Sequence, residues 1–309
     1  MKILKHFRQR RSALLSSLLT ALLLVAPLTK SVWSVEVRQT PPQRDTIVFI
    51  VSGESGVPGA QRTYSMDALA ILKDGKFLSP MAEDDKKSQQ GFADAFYRKG
   101  QQYRLLFGGG EVGTATVQGW SEGCNAIHSS ISVKTSANIR GRIYGLATNS
   151  ESLGKKASSR RALTTAERAA VLTLVNSIYL QNKTPNALMR SLKVGNLTAT
   201  DLDGDGQFEV IGDFQIQTGN EASGARRDLF LIATPEGKGF RAELANFNSY
   251  KMDSGFGQSI GFLDQLDMDG DGLAEVVTIN EGFDAYGYSI YKKENGKWRD
   301  VYDGAGDAC

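Results

Sequence analysis

Two stretches of the chain, Asp201-Leu-Asp-Gly-Asp-Gly-Gln-Phe-Glu-Val210 and Asp267-Met-Asp-Gly-Asp-Gly-Leu-Ala-Glu-Val276, repeat one pattern 66 positions apart. Acids stand at positions 1, 3, 5 and 9 of each: Asp201, Asp203, Asp205 and Glu209, then Asp267, Asp269, Asp271 and Glu275. Gly206 and Gly272 at position 6 permit a sharp turn, because glycine enters the left-handed region without steric penalty. Downstream of each copy come alternating strand-like residues and a turn, at Glu236-Gly237-Lys238 and at Asn295-Gly296-Lys297. Asp74-Gly75-Lys76-Phe77 has the same turn shape, a weak hint of a third, decayed copy.

A tight loop with every second side chain turned inward gathers carboxylates around one point. Calcium takes six to eight oxygens and accepts mixed carboxylate and carbonyl ligands. Gln207 and Leu273 at position 7 need offer only a backbone carbonyl, which leaves their side chains free to differ. Glu209 and Glu275 close the cage. An EF-hand shares this first half but requires a bidentate Glu at position 12; here that position holds Gly212 and Thr278. Glu209-Val-Ile and Glu275-Val-Val-Thr-Ile read as strands. The expectation is two Ca2+ sites, both set in β-structure.

The pair resembles the FG-GAP/VCBS type of calcium-binding repeat, found in integrin-like propeller blades. The second copy carries the closer likeness, with Phe256-Gly257-Gln258-Ser259-Ile260 ahead of its loop. The first copy lacks the Phe-Gly, the second has extra residues between Ile260 and Asp267, and neither ends in Gly-Ala-Pro. The resemblance covers residues 190–309, with repeats at about 194–245 and 256–304. It implies blade-like β repeats, but two copies are too few for a complete propeller.

The remaining sequence is mainly β with one α-helix. Residues 35–148 read as a β domain, including a hairpin over Ala68–Pro80 turned at Asp74-Gly75. Residues 149–161 are polar, basic and small, so 149–189 reads as a linker and a helix. Thr164 and Glu167 form a capping box. Ala170, Val171, Leu174, Val175 and Ile178 then recur at helical spacing, and Pro185 follows the end.

Residues 2–11 carry Lys2, Lys5, Arg8, Arg10 and Arg11 and no acid, ahead of an apolar run over Ala13–Leu28. This order predicts a secretory signal peptide over residues 1–34, cut after small residues at Val32 and Ser34. The rival is an uncleaved anchor, for which the run is short against ~30 Å of hydrocarbon. The expected location is therefore periplasmic or extracellular, with no membrane span after signal removal. Without residues 1–34 the chain keeps 30 Lys/Arg against 34 Asp/Glu. Such a balance, with only short basic runs, argues against a nucleic-acid partner. Export leaves two readings for Cys124 and Cys309: a disulfide, or two unpaired thiols.

Gly119-Trp-Ser121-Glu-Gly123 matches the G-x-S-x-G nucleophile elbow. Its triad needs a late histidine, whereas His128 comes only seven residues on and His6 lies in the signal. A turn is the better reading, with a secreted serine hydrolase using Ser121 as the alternative. His128 lacks a partner at metal-ligand spacing. Gly108-Gly109-Gly110 lacks the Lys-Ser/Thr of a phosphate loop and reads as a flexible turn. Trp120, Trp298, Tyr286, Tyr288 and Tyr291 read chiefly as core, and secondarily as a glycan platform. The expected function is a non-enzymatic binding, adhesion or envelope-associated module. Calcium would act as a structural staple, and the ligand would be a protein or glycan.

Overall fold

The computed structural model describes residues 45–54, 63–82, 85–137, 142–220, 223–252 and 257–308. The expected signal over 1–34, together with Phe256 and Cys309, lies outside the described residues.

The first strand, β1 (Thr46–Glu54), is apolar on both faces because each face meets a different core. Side chains alternate sides along a strand. Ile47, Phe49 and Val51 point into one cluster, while Val48 and Ile50 point into another. Following strands are β2 (Thr63–Lys73), β3 (Lys76–Leu78), β4 (Gln102–Phe107), β5 (Gly110–Glu122), β6 (Ile127–Thr135) and β7 (Ile143–Thr148). They pair antiparallel in the order β1-β7-β4-β5-β6-β2-β3, and a further β1–β2 pairing closes six of them into a ring. The β2–β3 turn holds Asp74 and Gly75 at φ 51° and 71°, the mirror-image turn that a tight hairpin requires.

Such a small barrel fills its interior with side chains. Phe49 packs against Phe92, Phe96, Tyr97 and Tyr103 with ring centroids 4.7–6.5 Å apart. Phe92 and Phe96 belong to α1 (Lys86–Phe96), a helix beyond the one expected. Its N-cap is Asp85, which accepts from the Lys87 amide at 3.0 Å.

The capping-box helix is α2 (Thr165–Gln181), with both reciprocal Thr164–Glu167 bonds formed. A 3-10 turn (Asn186–Ser191) leads into two four-stranded antiparallel meanders. The first holds β8 (Lys193–Thr200), β9 (Glu209–Thr218), β10 (Ala225–Glu236) and β11 (Gly239–Lys251). The second holds β12 (Ser259–Leu266), β13 (Glu275–Glu281), β14 (Ala285–Glu294) and β15 (Lys297–Ala308). Each acidic loop joins the first strand of its meander to the second.

Four layers result. Val210, Leu229, Leu231 and Ala233 meet Val171, Val175, Ile178 and Tyr179 of α2. On the other face of the first meander, Ile211, Phe230 and Ile232 meet Phe262, Val276 and Tyr291 of the second. The second meander's far face, with Leu263, Val277, Tyr288 and Ile290, lies on the barrel's Val48, Ile50, Leu69 and Leu146. Both meanders are thus covered on both sides, which is why Leu229-Phe-Leu-Ile is a continuous apolar run and Glu275-Val-Val-Thr-Ile is buried at every position. The architecture is mainly β, with blade-like meanders that do not form a complete propeller.

The segment between β7 and α2 is anchored within this stack. Arg160, only 11% exposed at its side chain, lies between the rings of Phe107 and Phe262, 4.7 Å from each centroid. Its guanidinium is 3.6 Å from Asp264, which is fully buried, and donates to the Leu263 carbonyl. The Gly108-Gly109-Gly110 turn is held here too, the Gly108 amide donating to Asp264 at 2.8 Å. A Cβ on Gly110 would lie 2.6 Å from the Ser158 nitrogen, so the close approach demands glycine.

Candidate metal centre

The two acidic loops are built alike, bond for bond. Both oxygens of the position-1 aspartate accept backbone amides: Gly204 (2.7 Å) and Gly206 (3.1 Å) on Asp201, Gly270 (2.9 Å) and Gly272 (3.2 Å) on Asp267. Asp203 and Asp269 accept from the amides of Asp205 and Asp271. Asp205 and Asp271 accept from the amides of Gln207 and Leu273. Glu209 and Glu275 reach back across the loop mouth to the amides of Leu202 (3.0 Å) and Met268 (2.8 Å). Gly206 and Gly272 stand at φ 84° and 94°, where a side chain would be strained.

These turns bring carboxylates together. Oxygens of Asp201, Asp203 and Glu209 lie within 4.8 Å of one another, as do those of Asp267, Asp269 and Asp271. Asp205 and Glu275 fall outside these trios: the Asp205 carboxylate binds the Gln207 side chain, and Glu275 faces a lysine. The Gln207 side chain is exposed and that of Leu273 is half-buried against the inter-meander core.

Burial dominates the electrostatics of the position-9 acids. It raises the Glu209 carboxyl above its ordinary range, with the charges of Asp203 and Asp205 adding to the shift. It pushes Glu275 up to about 7, opposed by the Met268 amide and reinforced by Asp269. An ion of charge +2 would invert this balance, since it favours the carboxylate form of every group around it.

The donor set can be tested against calcium. Every candidate ligand offers oxygen, the preference of a hard divalent cation, and no thiolate or imidazole joins either trio. The buried Glu275 Oε1 accepts no hydrogen bond and lies 3.4 Å from the Lys292 ammonium, so this acceptor is directed at a positive charge. The residues fit the ion.

Sequence reading missed two features of this region. Leu202 and Met268 at position 2 are buried anchors, and the Ala274 amide donates to the Leu202 carbonyl at 2.7 Å, so the loops touch. Lys292 and Thr234 are the second feature. β14 pairs Val276 with Tyr291 while β10 pairs Val210 with Ala233, so Lys292 and Thr234 are register equivalents beside their loops. Lys292 donates to Asp269 and to Asp271, whereas Thr234 reaches Glu209 at 3.5 Å. The signal that would have found them is alignment of the strands after each loop, not of the loops alone.

The other residues singled out by sequence take different positions. Ser121 is exposed near the hairpin end of the β5–β6 ladder, paired with His128, and not on a strand-to-helix elbow. Both His128 ring nitrogens are engaged by carboxylates, Nδ1 with Asp67 at 2.8 Å and Nε2 with Asp307 at 3.0 Å. With no ring nitrogen left to take its proton, Ser121 is expected to stay unlabelled by a fluorophosphonate probe in intact-mass spectrometry. Labelling that disappears in Ser121→Ala would reverse this. Cys124 is disulfide-bonded, and its amide donates to Asp307; Cys309, the chain's other cysteine, is outside the described residues. Trp298, Tyr288 and Tyr291 are buried in core, Trp120 and Tyr286 half-buried. Among the described residues no helix is long and apolar enough to cross a membrane.

No protein-family model, curated protein or solved structure matches the chain.

Proposed function

We propose that this is an exported calcium-binding β-repeat protein, a non-enzymatic binding or envelope-associated module in which Ca2+ staples the meanders. The observation that carries the reading is the matched pair of loops, each made by the same five backbone bonds and each bringing three carboxylates within 4.8 Å of one another. Without a cation, each loop holds mutually repelling carboxylates, a cost that bound metal relieves. Because the loops touch through Ala274 and Leu202, occupancy of either stiffens the contact between the meanders. Calcium at extracellular sites typically binds at about 10⁻⁴ to 10⁻³ M, a range suited to export into calcium-rich surroundings. The module's own ligand is then a protein or a glycan, with nucleic acid disfavoured by the acidic balance.

Ligand binding to the native state alone stabilises by about 2.7 kcal/mol per site when the ligand is 100-fold above its Kd. Thermal melts with millimolar CaCl2 are therefore expected several degrees above melts in EGTA. Asp203→Ala is expected to remove part of that difference, and so is Asp269→Ala. Identical melts with and without calcium would refute the reading.

A further inference from the structure

Resting on that reading, we propose that Lys292 is the resident cation of the second acidic loop, so that the two loops take calcium unequally. The first loop is open to a divalent ion, and the second fills only by expelling the lysine.

Three observations converge. The Lys292 ammonium donates to Asp269 and to Asp271, the latter at 2.9 Å, and lies 3.4 Å from Glu275 Oε1. It thus touches three of the four acids assigned to the metal. The Glu275 side chain is fully buried, and its Oε1 accepts no hydrogen bond while facing this ammonium. That oxygen is aimed at a cation, and the cation there is one of the chain's own. Finally, Lys292 is itself only 16% exposed at its side chain, so it does not hover in solvent above the loop.

The first loop provides the internal comparison. Backbone bonds, glycines and acids agree, yet the register equivalent of Lys292 is Thr234, a neutral group 3.5 Å from Glu209. Two sites of equal ligand chemistry therefore differ by one unit of tethered positive charge. Charge-assisted bonds to carboxylates are about twice as strong as neutral ones. A calcium ion entering the second loop must break at least two of them, whereas none of this kind guards the first.

Titration calorimetry of the full mature chain with CaCl2 tests this, using Lys292→Thr and the reciprocal Thr234→Lys. The unaltered protein is expected to show one site filling well before the other. Lys292→Thr should tighten the later site by about tenfold or more, with the two sites converging. Thr234→Lys should weaken the earlier one comparably. Two equal sites in the unaltered protein, unmoved by Lys292→Thr, would overturn the inference and leave calcium binding intact. No calcium heat in any of the three would overturn the underlying reading instead. Because the two variants predict opposite shifts, misfolding of one leaves the other decisive.

Discussion

Arg160→Met is expected to lower stability by about 3–5 kcal/mol, the range for removing one partner of a buried ion pair. For a chain of this size that corresponds to a fall in Tm of roughly 10 °C. Methionine keeps an apolar side chain at this position but removes the charged guanidinium together with its two ring contacts and its bond to the Leu263 carbonyl. Asp264 would then stay buried with its Gly108 and Gln265 amide bonds but no counter-ion. Its carboxyl already stands raised, at about 6, because burial outweighs the pull of Arg160. A carboxyl raised in the folded state binds protons that the unfolded chain releases. Its contribution is fully present below the unfolded value near 4 and is lost as pH rises through about 6. The Arg160→Met deficit should therefore be largest at neutral pH and shrink towards pH 4, read by urea unfolding at each pH. A deficit independent of pH would assign the effect to packing alone.

The second large effect concerns His128, which ties two distant segments to β6. Its ring is clamped between Asp67 of β2 and Asp307 of β15, while Tyr288 donates to the other oxygen of Asp67 at 2.6 Å. The hydrogen bond to Asp67 raises the imidazolium pKa to about 9 against the opposing effect of burial, and Asp307 adds to it. Asp307 is correspondingly lowered, since burial is outweighed by the Asn125 amide and by His128. Stability from a raised histidine is complete below about pH 6.5 and disappears as pH climbs through about 9. A shift of this size on a ring one-quarter exposed is worth about 2–3 kcal/mol after allowing for solvent screening. Urea midpoints of the unaltered protein should fall between pH 6.5 and 9, and His128→Gln should flatten that slope. An equally steep slope in His128→Gln would move the effect to another group, Tyr286 and Tyr288 being the neighbours that titrate only at still higher pH.

Local order was legible in the sequence wherever a few adjacent residues decide it. The capping box, the Asp74-Gly75 turn and the paired acidic loops are all short-range devices, fixed by backbone amides and glycine geometry within ten residues. Most of what escaped depends on separations that no window spans. Closure of the ring rests on β1 meeting both its neighbour β2 and β7, the latter with pairs such as Val48 and Thr148. α1 hides because Phe92, Ala93 and Phe96 sit in a polar stretch interrupted by Gly91. Arg160 looks like a solvated base until Phe107, Phe262 and Asp264 converge on it from separate layers. The candidate centre divides the same way, with eight acids readable from spacing and Lys292 visible only through strand register.

The layering has one consequence for how such a chain can grow. Helix α2 seals the outward face of the first meander, and the closed ring seals that of the second. The stack is bounded at both ends, as terminal units bound a solenoid. Among the described residues each meander's outward face is covered, so neither offers a bare face for another blade to stack on. Extra units would have to enter between α2 and the ring, for instance in the connection from β11 to β12, and the ring and helix would be carried apart unaltered, like bookends around a longer shelf.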